Sequence, residues 1–140
     1  MGVILFIIAL IATSVLTAVY LPLSIIYHLI TLRFAKGLKR SGKYFYQMAL
    51  SIDQFANVSL QTPLNLLMTK GEQSFLFGDE DDTVSYVIAR NYYLNSLTKF
   101  GLFWAWFLNK VDTNHLDKAI DNKYKRDLEA YERINNKYVQ

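Results

Sequence analysis

The longest apolar stretch of the chain lies at its N-terminal end and predicts a helix that crosses a membrane. Residues 3–32 contain no Lys, Arg, Asp or Glu, whereas a transmembrane helix needs only about 20 such residues. A cleaved signal peptide is disfavoured, because no basic side chain precedes the stretch and its length exceeds the roughly 7–15 apolar residues of a signal peptide. Pro22 lacks an amide hydrogen and is expected to kink the helix.

Basic residues follow the apolar stretch at once and predict its orientation. Lys and Arg beside a membrane span tend to stay in the cytoplasm, and each adds about 1 kcal/mol of attraction to an anionic lipid surface. We therefore expect a single-pass protein of the inner membrane, with residues 1–32 as the span, the N-terminus outside and residues 44–140 in the cytoplasm. Small residues in residues 33–43 indicate a flexible hinge. Its basic side chains, expected at the membrane interface, are Arg33, Lys36, Lys39, Arg40 and Lys43.

The remaining residues, 44–140, repeat apolar positions at helical spacing and predict a small all-α domain. The apolar positions recur at steps of three and four in residues 45–56, 84–92 and 116–138. The last of these segments is an amphipathic helix with Asp112 or Thr113 as its N-terminal cap. Its stripe would pack in the core, or would bind a protein partner or a second copy of the chain. The stripe consists of Leu116, Ile120, Tyr124, Leu128, Tyr131, Ile134 and Tyr138.

One short segment, residues 102–108, is apolar on all sides. It is too short to span a bilayer, and Lys99 and Lys110 lie at its ends. Trp104 and Trp106 fall on opposite sides of a helix, so one face of a small core cannot bury both. The segment is either the centre of the domain or a membrane-interfacial helix, in which Trp is favoured.

Four acidic residues in a row, residues 79–82, precede the helix predicted at residues 84–92. An EF-hand calcium loop is excluded, because Val84 and Arg90 stand where that loop needs a glycine and a glutamate. The run is better explained as a helix start. Asp82 would be the N-cap, its carboxylate accepting from the amides of Val84 and Ser85, and the other acids would complement the positive end of the helix.

The composition excludes several classes of function. The chain has no cysteine, so it has no disulfide, no thiolate nucleophile and no cysteine-ligated zinc. Residues 44–140 carry ten basic and twelve acidic side chains, which argues against nucleic acid as a partner. The chain has two histidines, and one of them, His115, follows Asp112 by three residues. Such a pair can orient a base or a metal ligand, but it is also common where a helix begins.

Three short polar motifs of the domain are SIDQFANV from Ser51, FGDEDDTVSYVIARN from Phe77 and LNKVDTNHLDKAI from Leu108. Together they resemble the pattern D-Q-x-x-N, G-x-x-D-E-T-[IV]-S and D-x-x-H of a family of small uncharacterised proteins encoded by tailed bacteriophages and prophages. The chain departs from this pattern in two places. It has Asp81-Asp82 where the family has Asp-Glu, and it lacks the family's Gly after Asn-Val.

The resemblance implies no particular activity, but it singles out a set of polar residues. One hypothesis is a buried hydrogen-bonded network that joins helix ends and contains no metal or cofactor. The other is an acid–base site or a site for Mg²⁺ or Mn²⁺, made of Asp53, Asp82, Asp112 and His115. We favour the network, because no nucleophile is evident. Its members would be Asp53, Asn57, Asp82, Thr83, Ser85, Asp112 and His115.

These features predict a phage-encoded, non-enzymatic protein anchored in the inner membrane of the host cell. It would act on the host envelope by protein contact, in lysis control or in exclusion. One alternative is a membrane-tethered metal-dependent enzyme that uses the four Asp and His residues. Another is a structural single-pass subunit of a larger complex.

Overall fold

The computed structural model describes residues 2–31 and 34–138, and their side chains except those of residues 28, 29, 31, 34–40 and 136–138. Six helices and no strand are present in these described residues, which confirms the predicted all-α class. Chain contacts divide the protein into two compact units, Met1–Ala49 and Leu50–Gln140. The helices are α1 (Gly2–Thr31), α2 (Phe34–Ser59), α3 (Gln61–Met68), α4 (Val84–Tyr93), α5 (Lys99–Val111) and α6 (His115–Tyr138).

Helix α1 has the length and composition of a membrane span. Its segment Gly2–Tyr27 contains 26 residues, none of them buried, and at 1.5 Å per residue it is about 39 Å long. That length exceeds the roughly 30 Å hydrocarbon core of a bilayer. Pro22 lies inside the uninterrupted helix, and the Ser14 hydroxyl donates to the Leu10 carbonyl oxygen at 2.7 Å. Among the described residues, this is the one helix long and apolar enough to cross a membrane.

The segment predicted as a flexible hinge is helical from Phe34 onward. Helix α2 continues without a break through Gly37 and Gly42 to Ser59, so the prediction of a hinge over residues 33–43 differs from the structure. A single glycine costs a helix about 1 kcal/mol, and good helix formers lie near both glycines, among them Lys36, Leu38 and Lys43. Lys43 is exposed. Arg33 lies outside the described residues, as do the side chains of Lys36, Lys39 and Arg40.

The core of the second unit lies between α3, α4, α5 and the start of α6. Val87 and Ile88 come from the predicted apolar face of α4, whereas Tyr92 on that same face is exposed. The beginning of α5 comes close to the end of α3. A Cβ atom on Gly101 would lie 2.6 Å from the Met68 carbonyl oxygen, so this approach requires glycine. The buried apolar residues are Met68, Phe77, Val87, Ile88, Ala89, Leu97, Ala105 and Leu116.

Within the second unit, the end of α2 is packed through its polar side. Asn57 is fully buried, whereas Ile52 is 64% exposed and Phe55 is also exposed. The periodicity predicted a helix here, but it did not predict which face of the helix is packed. The polar face is inside because its amides bind backbone groups of the loop that precedes α4, as described below.

The apolar stripe of α6 is buried only at its beginning. Leu116 belongs to the core and Ile120 packs against it. From Tyr124 to Ile134 the apolar stripe is exposed, including Leu128 and Tyr131. Helix α6 begins at His115, so neither Asp112 nor Thr113 holds its N-cap position. Asp112 instead forms the C-terminal cap of α5.

Candidate functional site

The segment from Phe75 to Asp81, which contains most of the acidic run, is held by side-chain amides from α2, α3 and α4. Every second residue of the segment takes part, from Phe75 to Asp81. The side chains that bind it are Asn91 at Phe75, Asn65 at Phe77, Asn57 at Asp79 and Gln54 at Asp81. We call this set of four contacts the amide ladder.

The first two steps of the ladder bind both backbone groups of one residue. Asn91 accepts from the Phe75 amide at 2.8 Å and donates to the Phe75 carbonyl oxygen at 2.6 Å. Asn65 accepts from the Phe77 amide at 2.8 Å and donates to its carbonyl oxygen at 3.0 Å. A side-chain amide thereby replaces the neighbouring strand that an extended segment would otherwise need.

Asn91 is the most fully bonded of the four amides. It is completely buried, its second donor contact is to the Val87 carbonyl oxygen at 3.0 Å, and the Ser96 hydroxyl donates to its Oδ1 at 2.6 Å. The ring of Phe75 also contacts Tyr86 edge-on and lies under the Arg90 guanidinium. The loop start is therefore fixed by polar and apolar contacts together.

The last two steps bind carbonyl oxygens only. Asn57 donates to the Asp79 carbonyl oxygen at 2.7 Å, and Gln54 donates to that of Asp81 at 3.1 Å. The Oδ1 atom of Asn57 is buried without a protein partner. The ladder accordingly weakens toward its exposed end at Gln54.

Asp82 forms a largely buried ion pair, and the prediction that it caps α4 is wrong. Its Oδ1 lies 3.1 Å from Nζ of Lys123 on α6, and the two side chains are 5% and 15% exposed. Lys123 also contacts Oδ1 of the exposed Asp127 at 3.2 Å. The residue that caps α4 is Thr83, whose hydroxyl oxygen accepts from the Tyr86 amide at 3.1 Å.

The two charges of this pair respond differently to their surroundings. Burial raises the pKa of Asp82, and this outweighs the hydrogen bond from Lys123 that lowers it. Burial by itself would lower the pKa of Lys123, but hydrogen bonds to Asp82 and Asp127 raise it above its ordinary value. Both directions are physically consistent, because Lys123 has two carboxylate partners whereas the more buried Asp82 has one cation.

Asp53 and Ser85 are two further residues of the predicted network that lie beside the acidic loop. The Ser85 amide donates to Oδ2 of Asp53 at 3.5 Å, so a carboxylate from α2 lies at the start of α4, where its charge is favourable. The structure therefore brings together five of the seven residues predicted for the network around the acidic loop: Asp53, Asn57, Asp82, Thr83 and Ser85.

The remaining two predicted residues form a separate group between α5 and α6. Nδ1 of His115 lies 3.1 Å from Oδ2 of Asp112, and Nζ of Lys118 lies 2.5 Å from Oδ1. The hydrogen bond from Lys118, followed by that from His115, lowers the pKa of Asp112. Asp112 is thus the acceptor of two side chains from the first turn of α6.

The four residues of the alternative metal or acid–base hypothesis do not form one cluster. Asp53 and Asp82 lie at the acidic loop, whereas Asp112 and His115 are bonded to each other and to Lys118. Across residues 2–31 and 34–138, no three His, Asp or Glu side chains are grouped as a metal site would require. The geometry gives this hypothesis no support.

Sequence reasoning missed four residues that hold the loop or its ion pair: Gln54, Asn65, Asn91 and Lys123. Two of them could have been recognised in the sequence, because each is an amide among apolar positions of its helix. Asn65 lies beside Leu64, Leu66 and Leu67, and Asn91 lies near Val87 and Ile88. A buried amide needs partners for all its groups. The partners themselves, backbone atoms distant in the sequence, are visible only in the structure.

Comparisons of the chain with protein-family models, with curated proteins and with solved structures found no match. The likeness to phage proteins therefore rests on the three polar motifs alone.

Proposed function

We propose that this is a non-enzymatic membrane-anchored protein that acts on a host cell's envelope by binding another protein through α6. In keeping with the resemblance to phage proteins, its role would be lysis control or exclusion. Helix α1 would hold it in the inner membrane, with the second unit in the cytoplasm. The observation that carries the proposal is the stripe of α6, which is apolar yet leaves the core after Ile120.

The exposed part of this stripe has the chemistry of a protein-binding surface. It consists of Tyr124, Leu128, Tyr131 and Ile134, which recur at steps of three and four on one side of the helix. Such an amphipathic helix is the usual ligand of an apolar groove in another protein. Acidic and basic side chains of α6 flank it, and these would form the polar rim that protein interfaces have around an apolar centre.

The network around the acidic loop would serve this function by fixing the second unit in one conformation. Its members are bonded to backbone atoms and to each other, so they give the unit a fixed surface. A rigid surface loses less entropy on binding than a mobile one. The role assigned to the polar set is therefore structural support of a binding domain.

Photo-crosslinking in cells tests the proposal directly. A photoreactive amino acid at Tyr131 should form an adduct with one discrete partner protein. The matched control places the same group at Arg133, which lies two residues away on the opposite side of α6 and is also highly exposed. We expect an adduct from position 131 and none from position 133. Equal labelling at both positions, or no adduct at either, would contradict a partner on this stripe.

A substitution pair separates binding from folding. Leu128→Ser should remove the adduct and the cellular effect without changing the melting temperature, because Leu128 is an exposed member of the stripe. Leu116→Ala should lower the melting temperature, because truncation of a buried leucine costs about 2–5 kcal/mol. An adduct with twice the mass of the chain would identify the partner as a second copy.

A further inference from the structure

Helix α5 has two apolar faces, and the core uses only one of them. Gly101 and Ala105 are buried, and Trp104 and Leu108 pack against the core. The opposite side is exposed, with Trp106 57% accessible. We call this side the aromatic face of α5. Its exposed residues are Phe100, Leu102, Phe103, Trp106, Phe107 and Val111.

The aromatic face is a continuous surface of rings. Phe103 lies 6.1 Å from Trp106 and 6.5 Å from Phe107 between ring centroids. Lys99 and Lys110 begin and nearly end the helix, and Nζ of Lys110 lies 5.3 Å from the ring of Trp106. No acidic residue occurs in Lys99–Val111. The face therefore combines aromatic rings with positive charge and has no negative charge.

We propose that the aromatic face of α5 lies in the lipid–water interface of the bilayer that α1 spans. Trp rings favour the headgroup layer, and an interfacial helix buries an aromatic and aliphatic side while its cations bind anionic headgroups. Because α1 keeps the domain beside the membrane, the second contact is intramolecular and needs little affinity of its own. This surface is distinct from the stripe of α6 and does not depend on the partner proposed there.

Charge distinguishes this face from the stripe of α6. Helix α6 carries acidic as well as basic residues beside its exposed stripe, among the acids Asp127, Glu129 and Glu132, so its charges largely cancel and give little attraction to an anionic leaflet. Helix α5 has only cations, so its charge is complementary to anionic lipid. The sequence left residues 102–108, with Trp104 and Trp106, as either the centre of the domain or a membrane-interfacial helix. The structure separates the two tryptophans, because Trp104 packs on the core and its Nε1 is buried.

The two tryptophans provide the test, because they are the only ones in the chain. The full chain would be placed in phosphatidylcholine–phosphatidylglycerol nanodiscs, one chain per disc, as Trp104→Phe and Trp106→Phe variants. Each variant reports a single indole. Lipids brominated near the headgroup quench an indole in the interface, whereas acrylamide quenches an indole in water.

We expect Trp106, reported by the Trp104→Phe variant, to lose emission with brominated lipid and to resist acrylamide. Trp104, reported by the Trp106→Phe variant, should respond to neither quencher. Should Trp104→Phe fail to fold, the difference between wild type and Trp106→Phe gives the same signal. Quenching of Trp106 by acrylamide alone would overturn the proposal. So would resistance to both quenchers, which would mean that protein covers the aromatic face.

A charge variant tests the role of the cations. Lys99→Gln combined with Lys110→Gln should reduce the quenching of Trp106 by brominated lipid. The loss should appear in discs that contain phosphatidylglycerol and should vanish in discs of phosphatidylcholine alone, where the cations have no anionic partner. An equal loss in both lipids would contradict the electrostatic part of the proposal.

Discussion

At the scale of single residues, neighbouring positions in the acidic run have separate roles. Thr83 caps α4 with its hydroxyl oxygen, whereas Asp82 is buried and paired with Lys123. Both residues are good caps by type, so composition alone does not choose between them. Asp82 is the paired residue and Thr83 the cap because Lys123 of α6 lies beside Asp82.

Removal of the cap should lower stability without affecting the ion pair. Thr83→Ala is expected to lower the free energy of unfolding by about 0.5–2 kcal/mol, because the Tyr86 amide loses its acceptor. Thr83→Ser keeps a hydroxyl oxygen and should cost much less. Thermal unfolding of the full chain in detergent, followed by circular dichroism, gives both values. If alanine and serine have equal effects, the hydroxyl is not the cap.

The raised pKa of Asp82 predicts an unusual dependence of stability on pH. Asp82 binds protons more tightly in the folded chain, so its contribution to stability falls as pH rises from its ordinary pKa of 3.8 through its raised folded pKa. Asp82→Asn removes this contribution. The free energy of unfolding of wild type minus that of Asp82→Asn should therefore fall as pH rises above 3.8. It should fall again above 10.5, because the raised pKa of Lys123 adds stability only while the lysine is protonated.

The matched control is Asp127→Asn, which removes the other carboxylate near Lys123 and leaves Asp82 in place. This variant should keep most of the wild-type slope in the acid range, because Asp127 is the smallest of the causes that raise the pKa of Asp82. The groups that act on Asp82 are Lys123, Asp79 and Asp127. A stability difference that grows with pH in the acid range would mean that the ion pair outweighs the effect of burial.

At the scale of elements, the amide ladder explains how a segment without regular secondary structure is stable beside helices. Its residues have no neighbouring strand, and side chains from three helices supply the missing donors and acceptors. Each net hydrogen bond contributes about 0.5–1.5 kcal/mol, and the loss of one partner of a buried pair costs more. The ladder also ties α2, α3 and α4 to the same segment.

The buried end of the ladder should be far more sensitive than its exposed end. Asn91→Asp keeps the shape but leaves the Phe75 carbonyl oxygen without its side-chain donor, at about 1–3 kcal/mol, and removes the additional side-chain bond to the Val87 carbonyl oxygen. Gln54→Glu makes the same amide-to-acid change at the exposed end and breaks one contact, to the Asp81 carbonyl oxygen. Melting temperatures of the two variants should differ clearly. Similar losses for both would show that the ladder acts as one cooperative unit.

At the scale of the whole molecule, the apolar surfaces outside the core of the described residues include α1, the aromatic face of α5 and the stripe of α6. Large apolar patches on a protein mark membrane or protein contacts. Helix α1 matches a bilayer in length, the aromatic face of α5 has only cations beside it, and the stripe of α6 has charges of both signs. The chemistry of each surface therefore points to a different contact.

The five basic residues after α1 predict the orientation of the chain. A reporter that is active only in the cytoplasm should be active when it is fused after Gln140. A reporter that is active only in the periplasm should be inactive at the same position. Replacement of Arg33, Lys36, Lys39, Arg40 and Lys43 by glutamine should weaken or invert this orientation, because basic residues resist transfer across the membrane. The control replaces five lysine and arginine residues of α6 and should leave the orientation unchanged. A periplasmic signal from the unmodified fusion would contradict the prediction.

The sequence by itself determined the features that depend on local spacing and on composition. An uncharged stretch of 30 residues can satisfy its backbone in a membrane only as a helix. Apolar residues at steps of three and four predicted helices at α4 and α6. The clustering of Asp53, Asn57, Asp82, Thr83 and Ser85 was also anticipated, although only through the resemblance and not from spacing.

Only the tertiary structure decided which face of each helix is inside. Periodicity locates an apolar face but not its partner, so the helical spacing around Ile52 does not show that Ile52 is exposed and Asn57 is buried. Asn57 on the polar face of α2 donates to the Asp79 carbonyl oxygen, and this contact brings the polar face of α2 against the loop. Likewise, the pairing of Asp82 with Lys123 joins residues far apart in the chain. Such contacts depend on how the helices pack, which no local pattern records.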